Sequence, residues 1–115
     1  MCSICGIYGR RDYTLELKKM IAAMDFRGPD GCFTYTHRGF YGGSNRLSIN
    51  DLECGKQPFK NADGSIIIFF NGEIYNYKAL KKELQKDGIA FFSHCDGEIL
   101  PFVYQKYGIE GFKLL

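Results

Sequence analysis

The chain has 115 residues, 45% of them apolar and 24% charged, with a formal net charge of +2. That is room for one small folded domain whose core buries roughly 65% of the unfolded surface. The charges are scattered, so no Lys/Arg block marks a nucleic-acid face or a membrane-surface helix, and no apolar run approaches the ~18 residues that span a bilayer.

Cys2 stands directly behind the initiator methionine, in the run Met1-Cys2-Ser3-Ile4-Cys5-Gly6-Ile7. Cysteine is small enough for methionine aminopeptidase to trim ahead of it. One residue would then carry a thiol and a free α-amine, the arrangement of an N-terminal nucleophile whose base is its own amine. No basic region followed by an apolar stretch marks a secretory signal. Five cysteines, an odd number, fit reduced thiols in a cytoplasmic compartment.

Residues 3–9 read as a short strand. Residues 14–25 read as an amphipathic helix, with Thr14 as N-cap and Leu17, Met20, Ile21 and Met24 on one face. Arg27-Gly28-Pro29-Asp30-Gly31 reads as a turn. Cys32–Thr36 and Phe40–Tyr41 form a hairpin around His37-Arg38-Gly39, and residues 46–49 a further short strand. The apolar run 65–70 reads as a buried strand. Residues 76–86 are helical, with Asn76 as N-cap, Tyr77, Leu80 and Leu84 inward, and Gly88 past the end. Residues 89–92 read as a strand and 96–107 as a third helix. Pro101 inside that helix calls for a late start or a kink. The apolar ending Phe112-Lys113-Leu114-Leu115 reads as a domain cut short or split.

Four segments carry the chemistry of amide hydrolysis. Beside Cys2, Arg46 offers a guanidinium fork for an α-carboxylate. Asp96 offers a carboxylate for an α-ammonium. Asn71-Gly72 offers a side-chain amide and a main-chain N–H for an oxyanion. Singly, each has a plainer reading: a surface ion pair, a helix N-cap, a turn.

Together the segments resemble the N-terminal glutaminase domain of the glutamine-dependent asparagine synthetases, which are class II glutamine amidotransferases. The matching stretches are Met-Cys-Ser-Ile-x-Gly at 1–6, Arg-Gly-Pro-Asp at 27–30, Arg-Leu-Ser-Ile at 46–49, Gln57-Pro58, Asn-Gly-Glu-Ile-Tyr-Asn at 71–76 and Asp-Gly-Glu at 96–98. Phe26 and Asn45 depart from the family's usual histidine, and histidine or arginine, ahead of two of these motifs. The resemblance implies an α+β fold, the N-terminal nucleophile hydrolase α/β/β/α sandwich, here truncated. Residues 1–115 would be the N-terminal part of the glutaminase domain, with the synthetase domain absent.

The resemblance also implies a site. Cys2 would be the nucleophile and Asn71 with Gly72 the oxyanion hole. Arg46, Leu47, Ser48, Ile49, Asn50, Asn71, Gly72, Glu73 and Asp96 would bind L-glutamine. No metal and no cofactor are expected, since ATP and Mg belong to the synthetase domain. Expected partners are that domain or a chain carrying the rest of the fold, with a homodimer as another way to cover exposed apolar residues.

Other readings stay open. The ammonia acceptor is aspartate in asparagine synthesis, but other class II enzymes serve sugar-phosphate or purine biosynthesis. Cys2-x-x-Cys5 invites a redox or zinc reading, although alternate strand positions would point the two thiols to opposite faces. His37 or His94 is a rival base for Cys2. An inactive or split fragment is the non-enzymatic reading. Cys5, Cys32, Cys54 and Cys95 default to packing.

Overall fold

The computed structural model describes residues 2–47 and 56–115. The chain divides into two compact units, Met1–Pro58 with Phe69–Asn71, and Phe59–Ile68 with Gly72–Leu115. Antiparallel strands and separate helices give an α+β chain.

In the first unit, β1 (Ser3–Tyr8), β2 (Cys32–His37) and β3 (Phe40–Asn45) form an antiparallel sheet in the order β1-β3-β2. Arg38 and Gly39 close the β2–β3 hairpin with φ of 45° and 82°. Positive φ at both loop residues matches the right-handed twist of the flanking strands. Helix α1 (Thr14–Ala23) packs on β1 and β3. Two adjacent glycines make the central strand thin on both faces. A Cβ on Gly43 would lie 2.8 Å from Ile21 Cδ1 of α1, and one on Gly42 would collide with the ring of Phe69. Neighbouring strand residues face opposite sides, so this pair admits a helix on one side and an aromatic ring on the other. Asn45, fully buried, ties the layers by donating from Nδ2 to Ile21 O at 3.0 Å.

The N-cap expectation at Thr14 is corrected: Tyr13 occupies that position, without a side-chain cap bond. Thr14 is already helical, and its N–H and hydroxyl donate to Asp12 Oδ1 at 2.8 and 2.6 Å. After α1, Asp25–Arg27 is a single 3-10 turn rather than a continuation of the helix. Of the strand expected at 46–49, Arg46 makes an isolated parallel bridge with Pro29 and Leu47 belongs to no strand. Ser48 and Ile49 of that expectation lie outside the described residues.

The second unit has a more ordinary interior. Phe59, Ile74, Leu84, Ile99, Leu100, Phe102 and Val103 are all buried. They come from the two-residue strand β4 (Phe59–Lys60), the helices α2 (Tyr77–Lys86) and α3 (Leu100–Tyr107), and the segments between; the strand paired with β4, β5 (Ile67–Ile68), is half-buried. Burying each such side chain contributes about 1.5–3 kcal/mol. Pro101 sits in the first turn of α3, where no N–H donor is required. The expected third helix therefore starts late, preceded by the 3-10 turn Asp96–Ile99. The chain closes with a 3-10 segment, Gly108–Leu114.

Two strand expectations are corrected here. The apolar run 65–70 pairs only at Ile67–Ile68, because Ile66 N–H donates to Asn61 Oδ1 at 3.0 Å and Phe70 N–H to Gln57 Oε1 at 2.8 Å. Residues 89–92 form no strand; Phe92 N–H donates to Glu98 Oε1 at 2.8 Å instead. The expected helix at 76–86 holds, with Gly88 at φ 83° beyond its end. Asn76 occupies the N-cap position, but its side chain donates to Leu114 O at 2.7 Å rather than capping. Among the described residues no helix is long and apolar enough to cross a membrane.

Candidate functional site

Within the first unit, Cys2 directly precedes β1, and its carbonyl accepts a hydrogen bond from Asn71 Nδ2 at 2.9 Å. Residues 69 positions apart are thus joined at the terminus. An amide nitrogen carries two N–H donors, and this bond uses one of them.

Arg46 directly follows β3, and its backbone is clamped by the turn at 27–31. Arg46 N–H donates to Gly31 O at 2.8 Å, and Asp30 N–H donates to Arg46 O at 2.9 Å. Gly28 lies flat against the same backbone; a Cβ there would stand 2.6 Å from Arg46 N. Only a residue without a Cβ permits that approach. Leu47 is half-buried, while Ser48, Ile49 and Asn50 lie outside the described residues.

The sheet register removes one rival base. His37 pairs with Phe40, which pairs with Tyr8, whereas Ser3 pairs with Asn45 at the opposite end of β1. Five residues of antiparallel strand separate those rows by about 17 Å, so His37 does not reach Cys2. Cys5 shares the Gly43 face of the sheet. Burial pushes its thiol pKa up, partly offset by a hydrogen bond from the Gly43 backbone, which suits a packed thiol and not a nucleophile. Cys2, Cys5, Cys32 and Cys95 are free thiols, and Cys54 lies outside the described residues. Among the described residues no group of three His, Cys, Asp or Glu side chains converges as metal ligands.

Within the second unit, Gly72 and Glu73 are exposed, and Asp96 accepts from Ile74 N–H at 2.7 Å through Oδ2 and from Gly97 N–H at 2.9 Å through Oδ1. Asp96 therefore joins the 72–74 stretch to the start of the third helical segment. Glu98 organises the loop before it. Its carboxylate accepts from Phe92 N–H at 2.8 Å, Ser93 N–H at 3.0 Å and Ser93 Oγ at 2.6 Å. Lys81 Nζ donates to Ser93 O at 2.9 Å, fastening the same loop to α2.

Sequence reasoning missed Gln57 and Glu98 as supports, and missed the turn at 27–31 as the clamp on Arg46. Gln57-Pro58, Asp-Gly-Glu and Arg-Gly-Pro-Asp were visible as motifs; what each holds was not.

The residues described above sit in a chain that belongs to the glutamine amidotransferase domain family, whose pattern matches residues 1–115. Among its relatives is asparagine synthetase [glutamine-hydrolyzing] 1 of Bacillus subtilis, 39% identical over 118 residues, covering 96% of this chain and 18% of that protein. The nodule asparagine synthetase of Pisum sativum is 34% identical over 112 residues, covering 94% of this chain and 19% of its own length. Asparagine synthetase B of Escherichia coli is 35% identical over 114 residues, covering 96% of this chain and 20% of its own. The chain spans about a fifth of the length of these relatives.

Proposed function

We propose that this chain is the N-terminal part of a glutaminase domain that hydrolyses L-glutamine to glutamate and ammonia for asparagine synthesis. In this reading the fold is the opening portion of the N-terminal nucleophile hydrolase sandwich. A synthetase domain, as named in the relatives, takes the ammonia and uses it on aspartate. ATP and Mg serve that second reaction, and the hydrolysis draws on groups of the chain itself. The free thiols fit a reducing, cytoplasmic setting.

Removal of Met1 leaves Cys2 with a free α-amine. The amine takes the thiol proton, and the thiolate attacks the carboxamide carbon of glutamine. Asn71 and Gly72 hold the oxyanion that forms. The intermediate collapses as the C–N bond breaks, and the α-ammonium returns its proton to the departing ammonia. Water then attacks the thioester, releasing glutamate and the thiol. Arg46 recognises the α-carboxylate of glutamine and Asp96 its α-ammonium. Leu47, Ser48, Ile49, Asn50 and Glu73 complete the recognition.

The observation that carries this reading is the Asn71 amide held at Cys2, with one N–H committed to the Cys2 carbonyl. Cys2→Ala tests it. Glutamine hydrolysis should disappear while glutamine binding, followed by calorimetry, persists. Turnover in Cys2→Ala would refute the nucleophile assignment.

A further inference from the structure

Phe69, Phe70 and Asn71 belong to the first unit but to none of its strands. Each is fastened in a different way. The Phe69 ring fills the space left by Gly42 and lies 6.4 Å from the Phe40 ring, centroid to centroid. Asn71 Nδ2 donates to Cys2 O at 2.9 Å. Between them, the Phe70 backbone is held by a side chain. Gln57 Nε2 donates to Phe70 O at 2.6 Å, and Phe70 N–H donates to Gln57 Oε1 at 2.8 Å.

A primary amide is the one side-chain group that presents a donor and an acceptor side by side in a plane. Gln57 therefore does for Phe70 what a paired strand would do, satisfying both backbone polar groups of that residue. We propose that Gln57 is a positioning residue for Asn71: by fixing Phe70 it sets where the next residue's amide stands relative to Cys2. The inference rests on the glutaminase reading above, in which Asn71 supplies an oxyanion donor. Glutamate at position 57 would accept from Phe70 N–H but turn a carboxylate oxygen toward Phe70 O. Alanine would leave both groups without this partner.

The test is a double-mutant cycle on glutamine hydrolysis and glutamine binding, using the chain with Met1 removed. Gln57→Ala should lower kcat by about 10- to 100-fold, the scale of a catalytic donor displaced by up to an ångström. Glutamine affinity should change by less than about 3-fold, as for a contact made only in the transition state. In an Asn71→Ala background, Gln57→Ala should cost nothing more, because its effect passes through Asn71. Gln57→Glu should fall at least as far as Gln57→Ala, and it serves as the test if the alanine variant fails to fold. Amide hydrogen exchange at Phe70, protected in the parent chain, should accelerate in both Gln57 variants. Additive losses in the double variant, unchanged kcat in both single variants, or unchanged exchange at Phe70 would overturn the inference. Cys2→Ala in parallel separates the two claims. Turnover there sinks the glutaminase reading, whereas a dead Cys2→Ala beside Gln57 variants of parental kcat sinks only the role of Gln57.

Discussion

The two units are built on different physical terms. Among the described residues, seven of the buried apolar side chains, from Phe59 to Val103, belong to the second unit, while Leu17 represents the first. The first unit instead buries Ser3, Ser44 and Asn45, and its central strand carries two glycines where side chains would otherwise pack. Its chain is held by polar clamps: Asn45 on α1, the turn at 27–31 on Arg46, Gln57 on Phe70 and Asn71 on Cys2. Hydrophobic burial is non-directional, whereas hydrogen bonds fix positions. Polar clamps set geometry in both units, with Asn61, Asp96 and Glu98 doing so in the second, but among the described residues the second unit adds an apolar interior, whereas the first buries only Leu17 of that kind.

Substitutions in the two interiors separate these terms. Leu84→Ala removes a side chain that is 1% exposed, and should cost about 2–5 kcal/mol in denaturant unfolding of the second unit. A loss well below that range would mean the second unit does not rest on its apolar core. Gly43→Ala should cost less, about 1–3 kcal/mol, because the new methyl would meet Ile21 Cδ1 at 2.8 Å and Cys5 Sγ at 3.3 Å. Unchanged stability in Gly43→Ala would show that α1 moves freely over β3, against the idea of a precisely set first unit.

The smallest effect is a pH dependence at the start of α1. The Thr14 hydroxyl, and then its backbone N–H, hold the Asp12 carboxyl below its usual range. The folded value lies below the unfolded one, so the contribution is complete above the unfolded value and is lost as pH falls through the folded one. Protection factors in the first turn of α1 should therefore decline below about pH 3.9 in the parent chain, and not in Asp12→Ala. A parent chain showing no such decline would remove Asp12 as a support for the start of α1.

The elements with a clear period were legible in the sequence: β1, the β2–β3 hairpin, α1 and α2 lie close to where the apolar spacing puts them. The strand expectations at 65–70 and 89–92 failed for one cause. At Ile66, Phe70 and Phe92, side chains of Asn61, Gln57 and Glu98 take the backbone groups that a neighbouring strand would have taken. Hydrophobic pattern reports burial and is blind to such capture. Thr14 does not cap for a related reason, since its own N–H and hydroxyl are taken by the Asp12 carboxylate. At the site, the amide-hydrolysing roles proposed for Cys2, Arg46, Asn71 and Asp96 come from their residue types and motifs. Their supports do not, because Gly28, Gly31 and Asp30 act on Arg46 through main-chain atoms that any sequence carries.

The most direct measurement is peptide mass spectrometry of the chain, with Met1 removed, after incubation with a diazoketone analogue of glutamine. A Cys2 nucleophile in a glutamine-shaped site predicts one covalent adduct, on Cys2, slowed by excess glutamine and lost when Met1 is retained. Labelling of Cys5, Cys32, Cys54 or Cys95 in place of Cys2, or equal labelling with Met1 still attached, would contradict it.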